Sequence, residues 1–228
     1  MKLKAFSIVG IMMLAVTALQ AQVTFGIVAG PNFQNMVGKD YDGDKITNGL
    51  IVGFHAGAKA NIPVAPDFWF QTGLLFSQKG SDNNLFMYGK KSSGEEYYNN
   101  TRISYLELPL HLLYSPELGN GRLLLGFGPY VAYGITGKQT FKDGSSDGIK
   151  IQFKNQVEME DYSPQDEVYF RGFDAGADIF AGYEFAFGLY AQLNAQLGML
   201  NMMTDITEWE YEPNLKNTGF GLSVGYNF

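Results

Sequence analysis

The sequence predicts an all-β protein: one eight-stranded, antiparallel, up-and-down transmembrane β-barrel of the smallest outer-membrane size, preceded by a cleaved signal peptide. Three observations predict it. Eight segments alternate apolar with small or polar residues at a period of two, which a strand uses and a helix cannot. The connections between them alternate strictly between short and long. The last segment carries no charge and ends the chain on an aromatic residue, as a closing strand of an outer-membrane barrel does.

Residues 1–21 read as the signal peptide and 22–228 as the barrel domain. Lys2 and Lys4 make a positive start, Ala5 to Leu19 an almost unbroken apolar run, and Leu19-Gln20-Ala21 a small-residue cleavage point. The run is shorter than the roughly 20 residues a spanning helix needs. What remains of the 228 residues suits one domain, and its net charge falls from −7 to about −9 as the two lysines leave. So acidic a chain does not bind nucleic acid. Cysteine is absent, so no disulfide supports the fold and a metal site would need oxygen or histidine ligands. No cofactor and no metal is expected.

The first strand, about Val23 to Gly30, sets Phe25, Ile27 and Ala29 against Thr24, Gly26 and Gly30. The second, Leu50 to Ile62, opposes Val52, Phe54, Ala56, Ala58 and Ala60 to Gly53, His55, Gly57, Lys59 and Asn61. The third, Phe68 to Lys79, turns Phe68, Phe70, Thr72, Leu74 and Phe76 one way and Trp69, Gln71, Gly73, Ser77 and Lys79 the other. In the fourth, Arg102 to Tyr114, Leu106, Leu108, Leu110, Leu112 and Tyr114 face away from Tyr105, Glu107, Pro109 and His111. The fifth, Arg122 to Gly134, sets Leu123, Leu125, Phe127, Val131 and Tyr133 against Gly126, Gly128, Tyr130 and Ala132.

The sixth, about Tyr169 to Phe185, puts Phe173, Ala175, Ala177, Ile179, Ala181, Tyr183 and Phe185 opposite Asp174, Gly176, Asp178, Gly182 and Glu184. The seventh, Leu189 to Asn201, carries Gln192, Asn194, Gln196 and Gly198 on its polar side. A helix over 185–204 would scatter those amides around its circumference, so the strand reading wins. The eighth, Thr218 to Phe228, has Phe220, Leu222, Val224, Tyr226 and Phe228 on one face. Tyr226 and Phe228 fit the usual closing pattern, with Ser223 where a glycine is usual.

Short turns at 63–67, 115–121 and 186–188 belong on the periplasmic side, and the long connections 31–49, 80–101, 136–167 and 202–217 outside. Phe25, Phe68, Tyr114, Phe185 and Phe228 then form a periplasmic aromatic girdle, and Phe76, Tyr133, Tyr169 and Phe220 an outer one. The structural competitor is a soluble lipocalin-like ligand carrier, which makes the same strands and inverts the wall. Loop asymmetry, the terminal aromatic and the girdles favour the membrane version and a location in the cell outer membrane.

Tyr105-Leu-Glu-Leu-Pro-Leu110, with Gly53-Phe-His-Ala-Gly57, Leu74 to Gly80, Gly126-Phe-Gly-Pro-Tyr130, Phe173-Asp-Ala-Gly176 and Gly182-Tyr-Glu184, resembles the PorT-type outer-membrane β-barrel domain common in Bacteroidetes. The resemblance spans essentially the mature chain, and the first segment is its most specific part. It implies a structural or interaction role at the outer membrane, with secretion assembly or surface binding among the roles of such barrels. Gly73 stands where the resemblance implies an inward acid on the third strand.

The alternation gathers a polar network inside the barrel: His55, Lys59, Lys79, Tyr105, Glu107, His111, Asp174, Asp178 and Glu184, with Gln71, Tyr130, Gln192, Asn194 and Gln196. An eight-stranded barrel is just wide enough for side chains to fill. Lys59 and Lys79 are natural partners for Glu107, Asp174 and Glu184, making a packed polar plug. A narrow channel for small solutes or ions is the alternative. No nucleophile, base and orienting acid come together, so catalysis is not expected.

Asp40-Tyr-Asp-Gly-Asp44 begins like a calcium loop but has Lys45 and Ile51 where the loop needs glycine and glutamate. Glu208, Trp209, Glu210 and Tyr211, in an acidic stretch running to Glu212, are the loop residues most suited to an envelope or extracellular protein partner. Carboxylates there and in 158–167 suit divalent cations that bridge lipopolysaccharide. Membrane lipid, lipopolysaccharide and the barrel assembly machinery are the other expected partners.

Overall fold

The computed structural model describes residues 23–39, 43–46, 48–82, 99–141, 148–161, 167–207 and 214–228. Eight long strands form the wall: β1 (Thr24–Lys39), β2 (Ile51–Ala65), β3 (Phe68–Ser81), β4 (Asn99–Tyr114), β5 (Gly121–Phe141), β6 (Phe173–Phe185), β7 (Leu189–Gly198) and β8 (Asn214–Asn227). Each pairs antiparallel with its neighbour in sequence, and β8 returns to pair with β1, so the sheet closes. The pairing that leaves β1 at Gly26 comes back to it at Met36, a stagger of ten residues. Stagger and strand number together set the strand tilt and the lumen width.

The apolar faces point outward. Phe25, Ile27, Phe54, Leu74, Leu106, Leu108, Phe127, Ile179, Leu193, Phe220 and Leu222 are all exposed, an arrangement that suits lipid and not water. The periplasmic girdle of Phe25, Phe68, Tyr114, Phe185 and Phe228 lies on this exposed surface, where Phe68 packs at a tilt against Tyr114 with 4.8 Å between ring centroids. Tyr133 and Phe220 are likewise exposed, and Phe76 packs on Phe54 at 5.3 Å. Tyr169 does not join the outer girdle. It is 5% exposed and belongs to a short strand, Val168–Phe170, that leaves the wall before β6 begins.

Beyond the lipid the strands run further than the alternation predicts, β1 to Lys39 and β5 to Phe141. Pairing continues there although the outward face no longer needs to be apolar, so the period-two signal fades before the strand does. The outer segments Ile149–Phe153 and Val168–Phe170 pair in parallel, as do Gln156–Val157 and Asp205–Ile206, and form an extension above the barrel. At the periplasmic end, Gly188 turns β6 into β7 with φ of 90°, a conformation only glycine takes without strain.

The lumen is layered, with apolar side chains on either side of a central polar network. At the outer end Met36, Ile103, Ile151, Phe170, Met202 and Leu215 form an apolar plug with almost no exposure. Toward the periplasm Val28, Leu75, Leu113, Leu124, Phe180 and Tyr190 form a second apolar layer, with Trp69 against it. Lys79, Glu107, Asp174, His55, His111 and Asp178 lie between, while Asn61, Gln71 and Glu184 lie toward the periplasmic mouth.

Candidate functional site

The polar layer centres on Lys79, which projects inward from β3 and has no exposed surface. Its ammonium lies 2.8 Å from Glu107 on β4 and 3.3 Å from Asp174 on β6. The Tyr130 ring of β5 supports it at 4.0 Å, a cation–π contact in a desolvated setting. Asp174 Oδ2 also accepts from the Tyr130 hydroxyl at 3.1 Å and from Asn217 Nδ2 of β8 at 2.9 Å. Asn217 reaches the Tyr105 hydroxyl at 3.5 Å, and Gln196 of β7 donates to Glu107 at 3.3 Å. The cluster therefore ties β3, β4, β5, β6, β7 and β8 together across the lumen. A buried charge is tolerated when it is both paired and hydrogen-bonded, as each is here.

Lys59 does not enter this cluster, although the two lysines lie on adjacent strands with the same inward orientation. Its ammonium instead sits 5.4 Å from the Phe180 ring and 5.9 Å from that of Tyr190. The residue paired with it on β3 is Gly73, which brings no side chain. Glu184 is also not a lysine partner: it lies at the periplasmic mouth, accepts from Asn227 at 2.8 Å and lines a cavity with Arg122 and Trp69. Arg122 is held there by the Ser115 carbonyl at 2.8 Å.

The two histidines make separate pairs. His55 Nε2 meets Ser223 Oγ at 2.8 Å, and Asn194 donates to the same hydroxyl at 2.8 Å. His111 Nε2 meets Asp178 at 3.1 Å. A nucleophilic relay needs one histidine between a hydroxyl and a carboxylate. Here the hydroxyl and the carboxylate belong to different histidines.

Asn32, Gln34 and Asn217 are buried polar residues of the lumen, on stretches that the alternation assigns to loops. Each lies on the stretch of strand past the fading alternation, so the available signal was chemical: amides flanking a strand that already faced inward. Tyr226 and Phe228 of the closing strand face outward with ring centroids 5.4 Å apart. Glu208, Trp209, Glu210 and Tyr211 lie outside the described residues, as do Asp40 to Asp42 and residues 1–22.

A profile of the outer membrane protein beta-barrel domain family matches residues 8–202. The chain belongs to that family. It is an outer membrane β-barrel protein, and its outward apolar wall therefore faces lipid.

Solved structures similar to this barrel share few residues with it. Ail, the attachment invasion locus protein of Yersinia pestis, solved with the heparin analogue sucrose octasulfate, is 12% identical with a TM-score of 0.40, over 90% of this chain and 99% of that one. Neisserial surface protein A is 10% identical with a TM-score of 0.43, over 90% and 97%. A major outer membrane protein of Thermus thermophilus is 10% identical with a TM-score of 0.44, over 91% and 100%. No curated protein matches the sequence.

Proposed function

We propose that this outer membrane barrel is structural and non-conducting, and that it presents its outer extension to a protein partner in the envelope or outside the cell. The observation that carries this reading is the outer plug, in which Ile103, Phe170, Met202 and Leu215 fill the lumen with apolar side chains. Below it the Lys79 cluster spans the same lumen with paired charges. Planar-bilayer recording of the purified, folded chain tests it: no unitary conductance is expected. Reproducible conductance steps would favour a narrow channel, the reading that the polar middle layer supports.

Within the family, the Tyr105 to Leu110 segment supports a PorT-type assignment, and with it a role in secretion assembly or surface binding. That segment supplies both Tyr105 and Glu107 to the lumen cluster. The acidic aromatic stretch from Glu208 to Glu212 is our choice for the partner contact. Replacing it with Ser and Gly should abolish cross-linking to a partner or retention of divalent cations, and unchanged binding would remove this assignment. The exposed Tyr226 and Phe228 are the groups we assign to recognition by the assembly machinery. We assign no catalysis, because the two histidine pairs do not join.

A further inference from the structure

Four side chains around one cavity of about 70 Å³ in the middle layer each leave one polar atom unmatched among the described residues, and Lys59 lines the same cavity. Asn32 Oδ1, Gln34 Oε1, His111 Nδ1 and Asp178 Oδ1 are buried without a hydrogen-bond partner among the described residues. Lys59, 5% exposed, makes no hydrogen bond or contact ion pair among the described residues, and its ammonium lies 5.4 Å and 5.9 Å from the Phe180 and Tyr190 ring centroids. An ammonium carries three N–H donors, and stranding it dry is among the costlier arrangements a protein can hold. Gly73, opposite it, has no side chain to supply an acceptor.

The chemistry of the lining selects the occupant. Glu107 and Asp178 face the same cavity and would repel an anion, while Lys59 would repel a cation. Asn32 Nδ2 already donates to the Gln78 carbonyl at 3.0 Å, so its free atom is an acceptor. The cavity thus asks for a ligand that accepts from one ammonium and donates to a carboxylate and two amide oxygens. Water does both, and the volume holds a small cluster.

We infer that this cavity is an internal hydration site, in which ordered waters complete Lys59 and link it to Asp178 and Glu107 through hydrogen bonds rather than direct contact. Val28, Leu75 and Phe180 of the inner apolar layer form one side of it.

Pulsed X-ray hydroxyl-radical labelling of the folded full chain in lipid nanodiscs, read by mass spectrometry, tests this with water itself as the probe. Phe180 lines the cavity at 4% exposure, whereas Phe170 and Met202 of the plug are at 0%. Bound water predicts labelling of Phe180 and His111 roughly tenfold above Phe170 and Met202, despite the high intrinsic reactivity of methionine. Phe180 and His111 as protected as the plug would overturn the inference. Lys59→Met should lower Phe180 labelling by about twofold or more with Phe170 unchanged, since the anchoring donor is gone. Undiminished labelling in that variant, with barrel mobility on an unboiled gel intact, would overturn the role given to Lys59. Should the variant fail to fold, the wild-type ratio still decides.

Discussion

The lumen and the outer extension each contain an ion pair, and the surroundings make them different objects. Lys79 is wholly enclosed, touches two carboxylates and lies against the Tyr130 ring. Arg171 and Asp205 meet in the extension, between the bend that precedes β6 and the Asp205–Ile206 strand, with both side chains partly in solvent. In the lumen the charges have already lost their water, so each depends on the others. In the extension water remains available to both partners, so neither depends much on the pair. The extension is held by its apolar plug, and the barrel centre by polar connection between strands.

Removing one charge from the lumen cluster is the harshest test of that contrast. Lys79→Met keeps the side-chain length but leaves Glu107 and Asp174 buried without a cation. We predict a loss of about 3–5 kcal/mol in urea unfolding, followed by gel mobility of the folded form. Adding Glu107→Gln and Asp174→Asn to that variant should restore much of the loss. If the triple variant is no better than the single one, stranded charge is not the cause.

The plug should respond to volume instead of charge. Met202→Ala removes a fully buried side chain from it, and the range for such truncation is about 2–5 kcal/mol. The lower end is expected, because the extension lies above the wall and can collapse onto the gap. Lys79→Met and Met202→Ala sit in different layers, so their effects should add; marked non-additivity would mean that plug and cluster form one unit.

Close packing of the wall against the lumen gives a smaller effect. A Cβ on Gly126 would collide with the Phe180 ring, which would have to swing toward the central cavity. Gly126→Ala should therefore cost about 1–3 kcal/mol by thermal or urea unfolding. A neutral result would mean that the cavity has spare room on that side.

The wall was more legible than the lumen because lipid imposes one rule on every strand. Phe25, Ile27, Leu106, Leu108 and Leu222 had to face outward, and the period of two reports it directly. That same period turned His55, Lys59, Lys79, Glu107, His111 and Asp174 inward. Which lysine meets which acid depends on the ten-residue stagger, a property of the closed sheet that no single strand encodes. Lys59 and Lys79 are equivalent by alternation, yet one is paired and the other is not.

The inner apolar layer did leave a trace. Ile27-Val28, Leu74-Leu75, Leu112-Leu113, Leu123-Leu124 and Ile179-Phe180 each interrupt the alternation, and the second residue of each pair fills the lumen. Of the outer plug, Phe170 and Met202 come from segments outside the long strands, whereas Met36, Ile103 and Leu215 lie on β1, β4 and β8.

Arg171→Gln completes the comparison at its weak end. The Asp205 carboxylate it leaves behind is still wetted, so no stranded charge follows, unlike Glu107 and Asp174 beside a lost Lys79. We predict a change under about 1 kcal/mol at low salt, shrinking further as ionic strength rises and screens the pair. Unfolding of wild type and variant at two salt concentrations measures it. A loss as large as that of Lys79→Met, insensitive to salt, would mean that the extension excludes water around this pair and is as much a sealed interior as the barrel beneath it.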